Sequence, residues 1–247
     1  IKMKDRMKNI ILGFVFLFII AICLYMINIG NIELFKNTKP VVFLHIPKNA
    51  GTKIKQMYPK FKNKPHWDSY PKQNEINIAV IRNPTTRLQS IFSHIKYRQE
   101  VEKNAYDLFD FETLHDLATA YYNKNAKNHT KAVDIFKWDD TSIKKYKSSP
   151  ECTNSTPCIH WLPQHLYING NQPAIVDYFM RFEYLDEDIS KLQQQGILES
   201  HKITNSKSRQ TPNKYKNLAE ITPICNKLVN DIYKKDLILW EQVNNSI

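Results

Sequence analysis

The stretch that most constrains what this chain can fold into is Val41–Thr52, VVFLHIPKNAGT. Val41–Ile46 is a short, apolar, β-rich run, the pattern of a strand covered on both faces in a parallel sheet. Pro47 ends the ladder because it has no N–H to donate. Gly51 lets the backbone come close to a ligand, and Thr52 stands where a helix begins. A strand-to-helix turn of this kind aims several backbone N–H groups and a helix N-terminus at one spot, which suits a phosphate. Lys48 adds a mobile positive charge there. The spacing is not that of a Walker A loop, GxxxxGK[ST], and GxGxxG is also missing.

A second stretch, Val80–Phe92 or VIRNPTTRLQSIF, repeats the strand-to-helix logic. Ile76–Ile81 reads as a strand, Asn83 as an N-cap and Pro84 as the first helical residue. In the helix that follows, Leu88, Ile91, Phe92 and Ile95 share an apolar face. Arg87 and Ser90, three residues apart, are expected on another face, both within reach of a ligand at the helix's first turns.

Together the two stretches resemble the donor-binding signatures of the sulfotransferases, in particular the Golgi carbohydrate branch. The first matches HIPK-x-(G/A)-G-T after an initial strand, the second R-(N/D)-P-x-x-R-x-x-S after another. Weaker likenesses follow: HWLPQ within His160–Ile168 resembles H-W-x-P-Q, the segment at Tyr178–Glu183 resembles R-F-E-x-L, and Ile232–Trp240 resembles an I-Y-x-x-D ending. The resemblance runs over nearly all of Val41–Trp240, and the two donor motifs are its sharp part.

The resemblance implies an α/β fold, a P-loop-like parallel sheet flanked by helices, preceded by one N-terminal transmembrane helix. It implies a sulfuryl donor, 3′-phosphoadenosine 5′-phosphosulfate, and no metal. Lys48 is expected at the bridging oxygen, where charge grows as the phosphate leaves. The loop Asn49, Ala50, Gly51 and Thr52 is expected around the 5′-phosphate, and Arg82 and Ser90 at the 3′-phosphate. A guanidinium fork suits phosphate well. The chain departs from the family pattern at Asn49 and Lys53, and Lys53 is expected to add charge near the donor.

The acceptor hydroxyl needs a base, and two histidines are candidates. His66 lies in the loop Phe61–Asn74 between the two motifs, and an imidazole's ordinary pKa suits proton abstraction near neutral pH. His160 opens the HWLPQ segment and is the second candidate. His45 reads as structural. Glu183 either orients a partner or pairs with Arg181.

The chain has 247 residues, enough for one well-cored domain, and a net charge of +11 that favours anionic partners. Charge alone does not distinguish nucleic acid, a membrane surface and an acidic glycan, and it is the resemblance that implies a carbohydrate acceptor, expected to be an acidic glycan. No aromatic-basic RNA motif or zinc-finger spacing points to nucleic acid, and neither CxxC nor HExxH points to a metal. Residues 1–9 are basic and are expected to form a cytoplasmic tail. The apolar run that follows, Ile10–Ile29, is expected to anchor the chain in a membrane, longer than the core of a cleaved signal peptide. A polar stem at 30–40 then leads into a lumenal catalytic domain at 41–247, a type II Golgi arrangement by the positive-inside rule. Asn128, Asn154 and Asn244 stand in glycosylation sequons. In an oxidising lumen Cys152 and Cys158 are the expected disulfide, with pairing to Cys225 left open.

Helices are expected over Asp110–Asn123, Ala126–Lys137, Asp186–Gln195 and Thr222–Val243. Two other readings stand beside the leading one. The first is a sulfotransferase-like domain that only binds acidic glycans, and the second is a P-loop-like kinase, marked by a need for Mg²⁺.

Overall fold

A computed structural model describes residues 17–25, 39–64, 74–101, 110–138, 158–169, 176–200 and 211–246. Its centre is a parallel sheet. Three strands form its body: β1 (Val41–Leu44), β3 (Ile76–Ile81) and β4 (Tyr178–Arg181). A short edge strand, β2 (Lys62–Lys64), completes the order β2-β1-β3-β4, and every pairing is parallel. This edge strand falls in a stretch whose Lys-Asn-Lys sequence carries no apolar or β-branched signal.

All six residues of β3 are buried, as a strand covered on both faces requires. Ile76, Ile78 and Val80 point to one face. There they pack with Phe43, Met180 and two helices, α1 (Gly51–Met57) and α7 (Leu185–Gln194). On the opposite face Ile81 meets Ile46, Ile168 and Val243. Those last two belong to α6 (Gln164–Asn169) and α10 (Lys234–Ser246). The alternation of period two thus sorts β3 between two cores.

Beside the sheet lies a helical core built on α2 (Pro84–Val101), α3 (Leu114–Tyr122), α4 (His129–Ile135) and α9 (Pro223–Ile232). Leu88, Ile91, Phe92 and Ile95 of α2 are all buried in it, as their spacing predicts. Asn83 caps α2 through its side-chain oxygen, which accepts from Thr85 N at 2.9 Å. Thr113 and Asp116 form a capping box that starts α3 later than Asp110. The helix expected over Ala126–Lys137 is shorter than its pattern, at His129–Ile135.

Gly196, with φ +70°, stops α7, and Ile197 N reaches back to Leu192 O at 2.9 Å. The helix expected over Thr222–Val243 breaks in two at Tyr233. Its ring is buried in the helical core and its hydroxyl donates to Trp161 O at 2.8 Å. Asp236, three residues past the break, lies beneath the start of α6 and accepts from Gln164 N and His165 N.

The expected anchor Ile10–Ile29 lies mostly outside the described residues. Residues 17–25 are helical, and Leu17, Phe18 and Leu24 are each more than 60% exposed. Among the described residues no helix is long and apolar enough to cross a membrane. Cys152 is likewise outside the described residues, and Cys225 is a buried free thiol beside Thr222.

Candidate active site

The strand order reverses between β1 and β3, so the loops leaving their C-terminal ends diverge and open a crevice. The first loop makes a tight turn, with Asn49 N donating to Ile46 O at 3.2 Å. Lys48 (φ 70°) and Ala50 (φ 59°) both adopt the left-handed conformation. Each such non-glycine residue costs on the order of 1–3 kcal/mol and persists only where its surroundings fix it. Asn49, fully buried between them, supplies the fixing: its Nδ2 donates to Val80 O at 2.7 Å and to Gln164 Oε1 at 2.5 Å. The backbone N–H of Asn49 and its side-chain Nδ2 are thus both engaged away from the crevice.

Ala50 is the N-cap of α1, and no side chain caps this helix. The amides of its first turn therefore face the crevice without a side-chain acceptor. Gly51 opens the helix for a reason the sequence did not disclose. A Cβ built there would lie 2.1 Å from His45 Nε2, so the imidazole occupies the space a side chain would need. Thr52 is exposed at the crevice wall. Lys53, expected to add charge near the donor, lines the same cleft and pairs there with Asp186 of α7 at 2.5 Å.

Arg82 leaves the end of β3 and is held on three sides. Its Nη1 donates to Lys48 O at 3.0 Å and its Nε to Thr86 Oγ1 at 3.1 Å. Its guanidinium lies 4.0 Å over the Phe182 ring. Glu183 does not pair with Arg181. It accepts from Asn83 N at 3.1 Å and from Thr86 Oγ1 at 2.9 Å, while Arg181 forms a two-pronged pair with Asp188. A guanidinium has five N–H donors, so Arg82 keeps several for a ligand. Ser90 sits two turns into α2 on the crevice wall.

Arg87, expected beside Ser90, is almost fully buried and turned elsewhere: Nε donates to Pro47 O at 3.2 Å and Nη2 to His160 O at 3.1 Å. It ties α2 to the first loop and to the HWLPQ segment.

The walls enclose an open cleft of about 680 Å³, lined by Lys48, Ala50, Gly51, Thr52, Arg82 and Ser90 among others. That volume is in the range of small-molecule sites. The same cleft contains His45, His94 and His160, and the His94 and His160 rings lie 5.3 Å apart. His66 lies outside the described residues.

Electrostatics follow from crowding cations in a half-dry space. Burial, with Arg82 and Arg87 adding repulsion, lowers the Lys48 pKa to about 8. Burial also lowers Arg82 to about 10, with Glu183 opposing the shift and Arg87 adding to it. Burial first, then the Lys48 and Arg98 charges, hold His94 neutral, down to about 3. Such a cleft is primed for a multiply charged anion, which would relieve the repulsion and restore Lys48 toward its ordinary value. Among the described residues no group of His, Cys, Asp and Glu is placed to hold a metal ion.

The residues that sequence reasoning left without a role are Gln164, Asp236, His94 and Phe182. Gln164 is the Gln of HWLPQ and Asp236 the Asp of the I-Y-x-x-D ending. Gln164 N donates to Asp236 Oδ2 at 2.6 Å, and Asp236 also accepts from His165 N at 2.9 Å and contacts His165 Nδ1 at 2.7 Å. Both lay inside segments already marked by resemblance, so the signal was present without a partner to give it meaning.

Residues 34–241 match a family model described as "Sulfotransferase family". No curated protein and no solved structure gives a significant match.

Proposed function

This chain belongs to the sulfotransferase family, and from that premise we propose that it transfers a sulfuryl group from 3′-phosphoadenosine 5′-phosphosulfate to a carbohydrate hydroxyl. The observation that carries the proposal is the convergence of Lys48, Thr52, Arg82 and Ser90 on one cleft at the point where the strand order reverses. Residues from two separate motifs meet there, and their charges suit a donor with anionic groups at both its 3′ and 5′ ends.

In this reading the α1 turn and Thr52 hold the 5′-phosphate, while Arg82 and Ser90 hold the 3′-phosphate. The donor supplies the sulfuryl group. The acceptor oxygen forms a bond to sulfur, the bond from sulfur to the bridging phosphate oxygen breaks, and adenosine 3′,5′-bisphosphate leaves. Lys48 neutralises the charge that develops on that bridging oxygen, a contribution that grows from the bound state to the transition state. The acceptor's proton passes to an imidazole. His66 is our first assignment for that base, and His160, standing in the cleft wall, is the second.

A basic surface suits an acidic glycan acceptor, and the apolar Ile10–Ile29 run suits a Golgi membrane anchor with the domain lumenal and the sequons glycosylated. The test has two parts. Titration calorimetry with adenosine 3′,5′-bisphosphate should show tight binding without added Mg²⁺. A panel of glycans incubated with ³⁵S-labelled donor should then yield a labelled product. Binding without transfer to any glycan would support a binding protein, and a strict Mg²⁺ requirement with ATP would support a kinase. For topology, protease added outside sealed microsomes should leave the large domain intact, and its digestion would refute the lumenal placement.

A further inference from the structure

Gln164 is wholly buried and touches both donor loops at once. Its Oε1 accepts from Asn49 Nδ2 at 2.5 Å and from Arg82 N at 2.9 Å, and its Nε2 donates to Arg82 O at 2.8 Å. The Arg82 backbone is therefore gripped by a pair of bonds like those between neighbouring strands, with a side-chain amide in place of a strand. Through Asn49 the same amide reaches the left-handed turn that carries Lys48, and Asn49 passes the link on to Val80 O at 2.7 Å. Gln164 is itself held from behind, by Asp236 on its backbone N–H at 2.6 Å. No atom of Gln164 is among those lining the cleft.

A buried amide can be simple glue, satisfying backbone groups that would otherwise cost about 1–3 kcal/mol each. The position of this one argues for more. It joins the loop assigned to the donor's 5′ end with the residue assigned to its 3′ end, and so sets the distance between two anion subsites. A ligand with an anionic group at each end of a ribose gains from a preset distance, because occupying one subsite presents the second group to the other at high effective concentration. A ligand with only one such group gains nothing from it. Positional tolerance in sites of this kind is tight, and errors near 1 Å lose large factors.

We propose that Gln164 is a positioning residue that makes the cleft selective for nucleotides phosphorylated at both the 3′ and 5′ positions. The proposal rests on the reading of the cleft as the donor site, and the test separates the two. Gln164→Met keeps nearly the same volume and removes all three side-chain bonds. Binding of adenosine 3′,5′-bisphosphate and of adenosine 5′-monophosphate is measured by calorimetry on the full chain, wild type and variant. The expected result is at least a tenfold loss for the bisphosphate with no more than a twofold change for the monophosphate.

Equal weakening of both ligands, or of neither, overturns the positioning role. A wild-type chain that binds the bisphosphate no better than the monophosphate refutes the donor-site reading, and the proposal with it. Where Gln164→Met does not fold, as thermal unfolding would reveal, Asn49→Ser removes the arm from Gln164 to the first loop together with the bond to Val80 O, and leaves the grip on Arg82. It must then produce the same selective loss, and wild-type-like binding of both ligands by that variant overturns the proposal.

Discussion

Lys48 offers the sharpest test of the cleft, because its protonation should be visible in the binding of any donor-like anion. In the ligand-free cleft its pKa is lowered to about 8, first by burial and then by Arg82 and Arg87. A bound bisphosphate brings negative charge to the same space and should return the ammonium toward its ordinary value of roughly 10.4. Lys48 then helps binding fully below pH 8, and its help fades as pH rises from 8 toward the bound value. Across that window affinity should fall by about tenfold per pH unit, roughly two to two and a half decades in all, or about 3 kcal/mol.

Binding at pH 9 should also take up close to one proton, against roughly a tenth of one at pH 7. Calorimetry in two buffers of different ionisation enthalpy measures that uptake directly at pH 9, where both phosphates of a 3′,5′-bisphosphate, with second pKa values of roughly 6, are fully ionised. Lys48→Arg keeps its charge and should flatten the profile, while Lys48→Ala should abolish the uptake. A wild-type profile flat from pH 7.5 to 10, or uptake that survives Lys48→Ala, would show that Lys48 does not face the anion.

Three further outcomes follow from the geometry. Arg82→Ala should weaken bisphosphate binding by on the order of 1.5–3 kcal/mol with turnover at saturating donor little changed, whereas Lys48→Ala assayed near pH 7 should lower turnover at saturating donor as well as affinity. Steady-state kinetics separate the two, and identical effects would dissolve the assignment of distinct subsites. Removing the base should slow transfer by roughly 10²–10⁴-fold and erase the acid limb of the rate profile. His66→Ala is expected to do this with donor binding intact, and near-normal turnover there, paired with a slow His160→Ala, moves the role to His160. Gly51→Ala should destabilise the fold by about 1–3 kcal/mol, because its Cβ would meet His45 Nε2 at 2.1 Å. Adding His45→Ala should recover much of that loss in thermal unfolding, and no recovery would mean that the clash is not the cause.

What the sequence disclosed was local. Lys48, Arg82 and Ser90 stand in short runs whose residue types already carry their chemistry, and the caps of α2 and α7 were readable from Asn83 and Gly196. What it withheld was distance-dependent. The hydrogen bond between Asn49 and Gln164 spans 115 residues of chain, and that between Gln164 and Asp236 spans 72. No spacing rule links such positions. Arg87 shows a different loss: its place one turn from Ser90 suggested a shared ligand, but two carbonyls, Pro47 O and His160 O, lie within reach of its guanidinium. A backbone acceptor has no letter of its own in the sequence. Lys53 keeps its place in the cleft wall but pairs with Asp186, and Glu183 meets the Asn83–Thr86 turn rather than Arg181, partners that only the fold brings near. The break at Tyr233 was hidden because the helical pattern runs unbroken on both sides of it.

The distance along the chain between Asp236 and the two loops also orders events in time. The two loops that line the cleft are complete once residue 90 has been synthesised, yet the carboxylate that braces Gln164 arrives almost 150 residues later. Because chains are made from the N-terminus at roughly 5–20 residues per second, a nascent chain spends several seconds with both donor loops made and nothing behind them. Contacts of such long range are also slow to form. A chain cut just short of Asp236 would therefore carry both strand-to-helix motifs and Gln164 without the carboxylate that holds Gln164 from behind. The helix that carries Asp236 must thus be made before the backbone of Gln164 gains its carboxylate partner.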